Sequence, residues 1–129
     1  MKIYLSARYR RFQEMQLYAS TLEKIGHKVV SSWINGAHEA RDNDVSMWRK
    51  FAEKDMEELK EADCLVAFTE HPDSDYARGG RHVELGMAIV WGKEIWVVGY
   101  IENVFCALPQ INFAHSVGDL FVELQMTGE

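Results

Sequence analysis

Two acidic residues stand where the hydrophobic pattern calls for apolar ones. In the run RGGRHVELGMA, residues 78–88, a helix advancing about 100° per residue puts Glu84 on the same side as Met87, Ala88 and Trp91. On the preceding amphipathic segment, with Trp48 set at zero, Phe51, Ala52, Leu59 and Ala62 fall within about 60°, and Asp55 falls at about −20°, inside the same stripe. A carboxylate on an apolar face costs several kcal/mol unless its charge is paired or its pKa rises. Either acid could be paired with an arginine or a backbone donor. Two of them on the helices flanking one strand also suit chemistry at an acetal-like carbon. There, one carboxylate attacks or stabilises an oxocarbenium-like centre while the other handles the leaving group's proton. That chemistry requires no metal and no cofactor, and the sequence carries no motif for either.

Gly79 and Gly80 precede Glu84 by one turn. At a helix start they would expose backbone N–H groups and allow an anion or a sugar to approach closely, with help from the helix dipole. A paired glycine is also an ordinary loop-to-helix turn. Gly86 is expected to let the helix pack closely and is given no chemistry.

The elements that must position these acids alternate in type. KIYLSA reads as a buried first strand, and YRRFQEMQLYASTLEKIG as a helix with Phe12, Met15, Tyr18, Ala19, Leu22 and Ile25 on one face, ending at Gly26. HKVVSSWI reads as a second strand, residues 44–62 as a charged helix, and DCLVAFT as a third strand. RHVELGMAIVWGK reads as a helix apolar on most sides, EIWVVGY as a fourth strand and INFAH as a short fifth. Ser116 and Asp119 in SVGD resemble a capping box that starts a last helix. Strands alternating with helices predict an α/β fold: a single-domain, flavodoxin-like, doubly wound parallel sheet of five strands flanked by helices, spanning residues 1–129. Ligands in such sheets bind beyond the carboxyl ends of the strands. Here those ends carry residues 6–8, 32–36, 70–80 and 99–103.

Bulk composition narrows the partners. With 129 residues, 47% hydrophobic and 26% charged, the chain suits one domain with a real core, and its formal charge of −6 argues against polymeric nucleic acid as a partner. Cys64 and Cys106 lie in apolar stretches without metal-type spacing, as expected of buried free thiols in a reducing compartment. No apolar run approaches the roughly 20 residues of a membrane span, and the first residues are too short for a signal core. The expectation is a cytoplasmic protein with no membrane partner.

Taken together and in order, KIYLSARYR, DMEELKEADCLVAF and GGRHVELGMAIVWGKEIWVVG resemble the nucleoside 2-deoxyribosyltransferase-like superfamily, which includes the 2′-deoxynucleoside 5′-monophosphate N-glycosidases. The resemblance implies cleavage of an N-glycosidic bond, by hydrolysis or by transfer to another base. It implies a nucleoside or nucleotide substrate, no cofactor, and a homodimer or higher homo-oligomer with shared sites. It further implies that Glu84 is the nucleophile at C1′, that Asp55 protonates or hydrogen-bonds the departing base, and that Tyr4 orients Glu84. Ser6 and Arg8 match the strand-one loop that contacts the sugar and, in the monophosphate enzymes, the phosphate.

The chain departs from the transferases just before Glu84, the position that the resemblance matches to their catalytic glutamate. Where they usually carry an Asp followed by Ser-Gly-Thr, it has Arg78, Gly79, Gly80 and Arg81, so the base-reading acid is either missing or displaced to Asp73 or Asp75. Arg78, Arg81 and the cluster of Arg8, Arg10 and Arg11 are candidate 5′-phosphate ligands, because guanidinium forks match phosphate oxygens, and they tilt the expectation slightly toward a nucleotide. Trp33 and His38 stand just past the second strand, where an aromatic could stack on a base. The resemblance makes Asn103 a candidate contact donated by a neighbouring subunit. NVFCAL, with Trp91 and Trp96, is a candidate self-association surface.

Two alternatives keep the same fold. One is a non-catalytic nucleotide-binding or sensor module, which would have no use for two acids on apolar faces. The other is a glycosidase acting on a larger nucleotide such as a dinucleotide. One geometric question also stays open. With a helix starting at Asp44, Asp55 lies about 16 Å along it. Either the helix begins well above the sheet or Asp55 is structural.

Overall fold

The computed structural model describes residues 1–36, 44–74 and 79–127. Five strands, β1 (Lys2–Ser6), β2 (Lys28–Val29), β3 (Cys64–Phe68), β4 (Glu94–Val98) and β5 (Ile111–Ala114), form one sheet in the order β2-β1-β3-β4-β5. Every neighbouring pair is parallel. Four helices, α1 (Phe12–Lys24), α2 (Val45–Glu61), α3 (Gly80–Val90) and α4 (Val117–Thr127), cover it. This is the doubly wound arrangement that the alternation predicts. Helices α2 and α3 touch each other and β1, whereas α1 meets β2 and α4, and α4 meets β4 and β5.

Burial explains the strand compositions. All five residues of β3 are buried, as a central strand covered on both faces demands, and β1 is buried from Ile3 to Ser6. Met15, Ala19 and Leu22 carry α1 into the core, and Leu120 and Leu124 do so for α4. The last helix is capped as expected, with the Asp119 amide donating to Ser116 Oγ at 3.2 Å. Cys64 and Cys106 are free thiols and buried. Among the described residues, no helix is long and apolar enough to cross a membrane.

Two elements differ from their sequence patterns. The second strand pairs only through Lys28 and Val29, and the chain then turns into a 3-10 helix, Ser32–Asn35. Edge strands have one neighbour, and here the ladder stops at Ile3 and Val29 while β1 runs on to Ser6; beyond it the Leu5 amide donates to the Ser31 side chain at 2.9 Å. In α2 the expected stripe is buried only near its carboxyl end, at Leu59 and the following Ala62, while Trp48 and Met56 are about two-fifths exposed.

The reason for the second difference is length. The Asp63 amide donates to the Lys2 carbonyl at 2.8 Å, which fixes the end of α2 at the start of β1. Helix α2 has 17 residues, about 26 Å, against five residues and about 17 Å for β1. Its first turns therefore stand above the carboxyl edge of the sheet, with no sheet beneath them.

Candidate active site

The same register answers the question about Asp55. It lies eight residues before Asp63, about 12 Å back along the helix, and Ser6 lies about 13 Å up the strand from Lys2. Asp55 is thus level with the end of β1. Its charge acts on both Tyr4 and Glu84. The helix begins above the sheet, and the acid sits at the strand ends.

Glu84 occupies the second turn of α3, facing β1. Its carboxylate accepts two hydrogen bonds from that strand, from the Tyr4 hydroxyl at Oε2 and from Ser6 Oγ at Oε1, the latter at 2.7 Å. Tyr4 and Ser6 are fully buried and two residues apart, so the period of two that aims strand side chains puts both hydroxyls on one face. The pKa of Glu84 is raised to about 7: burial, the largest influence, raises it, the two hydrogen bonds pull it down, and the charge of Asp55 pushes it up. Tyr4 moves far above the ordinary tyrosine value, first through burial and then through the charges of Glu84 and Asp55. Tyr4 therefore stays a proton donor while Glu84 titrates near neutrality.

This cluster lies at the topological switch point. From β1 the chain passes to β2 on one side, and the sheet continues through β3, β4 and β5 on the other, so the loops after β1 and β3 diverge around a crevice. Thr69 locks the end of β3 to β4: its hydroxyl meets the Val98 carbonyl at 3.2 Å and the Tyr100 carbonyl at 2.7 Å, and the Tyr100 amide meets it at 2.6 Å. Gly99, with φ of 113°, makes the bend, and a Cβ there would stand 3.3 Å from Thr69 Oγ1.

The arginines expected around an anion are placed among carboxylates. Arg11 grips Glu14 with Nε at 2.9 Å and Nη2 at 2.7 Å, and reaches Glu70 with Nη1 at 2.7 Å. The bonds from Glu14, followed by those from Glu70, raise its pKa against the effect of burial. Arg8 faces the other oxygen of Glu70 at 3.8 Å. Arg81 is buried and ion-paired to Glu102, which lies in the loop after β4. Its Nε and Glu102 Oε1 have no hydrogen-bond partner among the described residues. Arg10 is exposed. Glu70, Glu102 and Thr69 were not singled out from the sequence, although their positions at the carboxyl ends of β3 and β4 are the kind that mark functional residues.

The remaining candidates are dispersed. Gly79 takes a left-handed conformation, φ 75°, at the N-cap of α3 and Gly80 opens the helix; among the described residues, no atom beyond the local chain lies within 4 Å of a Cβ added at either. Trp33 is 5% exposed; its Nε1 donates to the Leu5 carbonyl at 2.7 Å and its ring packs by Tyr9, so both edge and face are engaged inside the protein. Asn103 caps a 3-10 helix, Val104–Ala107, by accepting from the Phe105 amide at 3.0 Å, and its Nδ2 lies 3.3 Å from His82 Nδ1. Asp73 is exposed beside His71. His38, Asp75 and Arg78 lie outside the described residues. Among the described residues, no three His, Cys, Asp or Glu side chains converge to hold a metal ion. A separate groove of about 600 Å³ between α1 and β2, lined by Gln16, Glu23, Lys24, Ser32 and Asn35 among others, shares no residue with the Glu84 cluster.

Comparison with known proteins extends this picture. The family described as nucleoside 2-deoxyribosyltransferase matches over residues 3–115. Among solved structures, the chain is similar to a 2-deoxyribosyltransferase from the psychrotolerant bacterium Bacillus psychrosaccharolyticus, at 22% identity and a TM-score of 0.74, covering 94% of this chain and 90% of that one. It is similar to the CMP N-glycosidase BcmB of Clostridium botulinum, at 20% identity and a TM-score of 0.61, over 98% and 99% of the two chains. It is also similar to a conserved protein of Enterococcus faecalis V583, at 16% identity and 0.66, over 98% of each. At these identities the structural likeness speaks for the fold. No curated protein matches the sequence.

Proposed function

From the premise that the chain belongs to the nucleoside 2-deoxyribosyltransferase family, we propose that it cleaves the N-glycosidic bond of a nucleoside or nucleoside 5′-monophosphate, with Glu84 as nucleophile. The observation that carries this reading is the Glu84 carboxylate, enclosed at the switch point and held by two hydroxyls of one strand. Similarity to a 2-deoxyribosyltransferase and to a CMP N-glycosidase supports the bond type.

Each side chain then has one task. The ionised Glu84 attacks C1′; the C1′–N bond breaks with its electron pair leaving on the base, and a glycosyl ester forms. Tyr4 and Ser6 fix the carboxylate so that it is pre-aimed, which spares reorganisation during attack. Asp55, level with Ser6 on the neighbouring helix, delivers a proton or a hydrogen bond to the departing base. Water or a second base then attacks C1′ and releases Glu84. The open backbone at Gly79 and Gly80 is the floor beside the sugar.

The reading is tested by incubating the protein with a panel of nucleosides and 5′-monophosphates, with and without an acceptor base, and following free and exchanged base by chromatography. Glu84→Gln is expected to lower kcat/KM at least about 10³-fold, the range typical of losing a nucleophile. Near wild-type turnover in Glu84→Gln would sink the assignment.

A further inference from the structure

The loop after β1 and the loop after β3 are joined across the crevice by charge. Glu70 sits at the carboxyl end of β3 with one oxygen 3.8 Å from Arg8 Nη1 and the other 2.7 Å from Arg11 Nη1. Its side chain is largely buried, 13% exposed. Ser6, which holds Glu84, is aligned with Ala67 in the β1–β3 register, so Arg8 and Glu70 stand two and three residues beyond that level, at most about 7 and 10 Å further out. A sugar whose C1′ meets Glu84 and whose far end points outward along the crevice brings that end toward this pair.

Charge counting then decides what that end can be. Among the described residues, Arg8 and Arg11 face Glu70 and Glu14, two cations and two anions. A 5′-phosphate carries up to two negative charges at neutral pH. Laid on Arg8, it would add them beside the Glu70 carboxylate, in a half-buried site where screening is weak. A neutral hydroxymethyl group meets no such repulsion, and the carboxylate can accept its hydroxyl proton.

We propose that Glu70 is a specificity-determining residue, which by neutralising Arg8 and Arg11 across the crevice selects sugars with a free 5′-hydroxyl over 5′-phosphates. This rests on the N-glycosidase reading for its meaning in catalysis, though not for its test by binding. It reverses the slight tilt toward a nucleotide drawn from the arginines alone, since a count of arginines omits the acids that meet them in the fold.

The experiment titrates ribose and ribose 5-phosphate into wild type, Glu70→Gln and Glu70→Gln/Arg8→Ala by calorimetry. Wild type should bind ribose 5-phosphate no tighter than ribose. Glu70→Gln should bind the phosphate at least tenfold tighter than wild type does, and adding Arg8→Ala should remove the gain. Equal or weaker phosphate binding by Glu70→Gln would overturn the proposal, because the carboxylate would then be orienting Arg8 for an anion. Should Glu70→Gln fail to fold, the wild type alone decides: tenfold preference for ribose 5-phosphate over ribose overturns the idea. In turnover, the kcat/KM ratio of 5′-monophosphate to nucleoside should rise at least tenfold in Glu70→Gln. Base release from no substrate, with the binding pattern intact, would defeat the enzymatic reading and leave Glu70's role standing.

Discussion

At the scale of single residues, Glu84 is governed by three neighbours with opposite effects. Its pKa is raised to about 7, where burial and the Asp55 charge disfavour the carboxylate and the Tyr4 and Ser6 hydroxyls favour it. A nucleophile must be ionised, so kcat/KM is expected to climb with pH and level off above about pH 7. The neighbours then give two shifts of opposite sign. Tyr4→Phe removes a donor to the carboxylate and should move this acid limb to higher pH, by about one unit. Asp55→Asn removes a like charge and should move it to lower pH, even while slowing departure of the base. Carbon NMR titration of a labelled Glu84 carboxyl checks both without relying on turnover. Shifts in the same direction would mean that Asp55 does not act on Glu84 through its charge.

At the scale of elements, the α3 entrance separates backbone geometry from ligand contact. Gly79 is left-handed and Gly80 helical, and among the described residues a Cβ at neither would be crowded. Gly79→Ala should cost about 1 kcal/mol, seen as a lowered Tm, because an L side chain is strained at positive φ. Gly80→Ala should leave Tm unchanged or raise it. A drop in kcat/KM in Gly80→Ala without loss of stability would mark close substrate approach, and full activity would make the turn purely structural. These elements were legible in the sequence because periodicity is local: alternation gave the sheet, and Glu84 and Asp55 stood out by breaking apolar stripes. What was not legible depends on partners distant in sequence. Arg11 meets Glu70 across 59 positions and Arg81 meets Glu102 across 21, so neither pairing leaves a periodic trace. The exposure of Trp48 follows from the length of α2 relative to β1, which only the register reveals.

At the scale of the whole molecule, the site leaves a signature in stability that needs no substrate. Glu84 binds its proton more tightly when folded than the ordinary carboxyl value near 4.5, so between about pH 4.5 and 7 the folded state holds more protons than the unfolded one. Stability from this group is complete below pH 4.5 and falls as pH rises toward 7. At about 1.4 kcal/mol per pKa unit, the loss is on the order of 3 kcal/mol. Glu14 works in the other direction: the Arg11 hydrogen bonds hold its pKa below the usual value, so its contribution is present above pH 4.5 and is lost as pH falls further. Together the two groups pull the stability maximum toward the acid side of neutrality. Urea unfolding measured from pH 3 to 8 should therefore show ΔG declining from mid-acid pH to neutrality in the wild type. Glu84→Gln keeps the shape and removes the titration, so its curve should be flatter over that interval and cross above the wild type near neutral pH. Parallel curves would mean that Glu84 ionises in the folded protein as it does in water. In that case the enclosure by Tyr4, Ser6 and Asp55 would not be setting its charge, and the crevice would lose the feature that most recommends it as a catalytic centre.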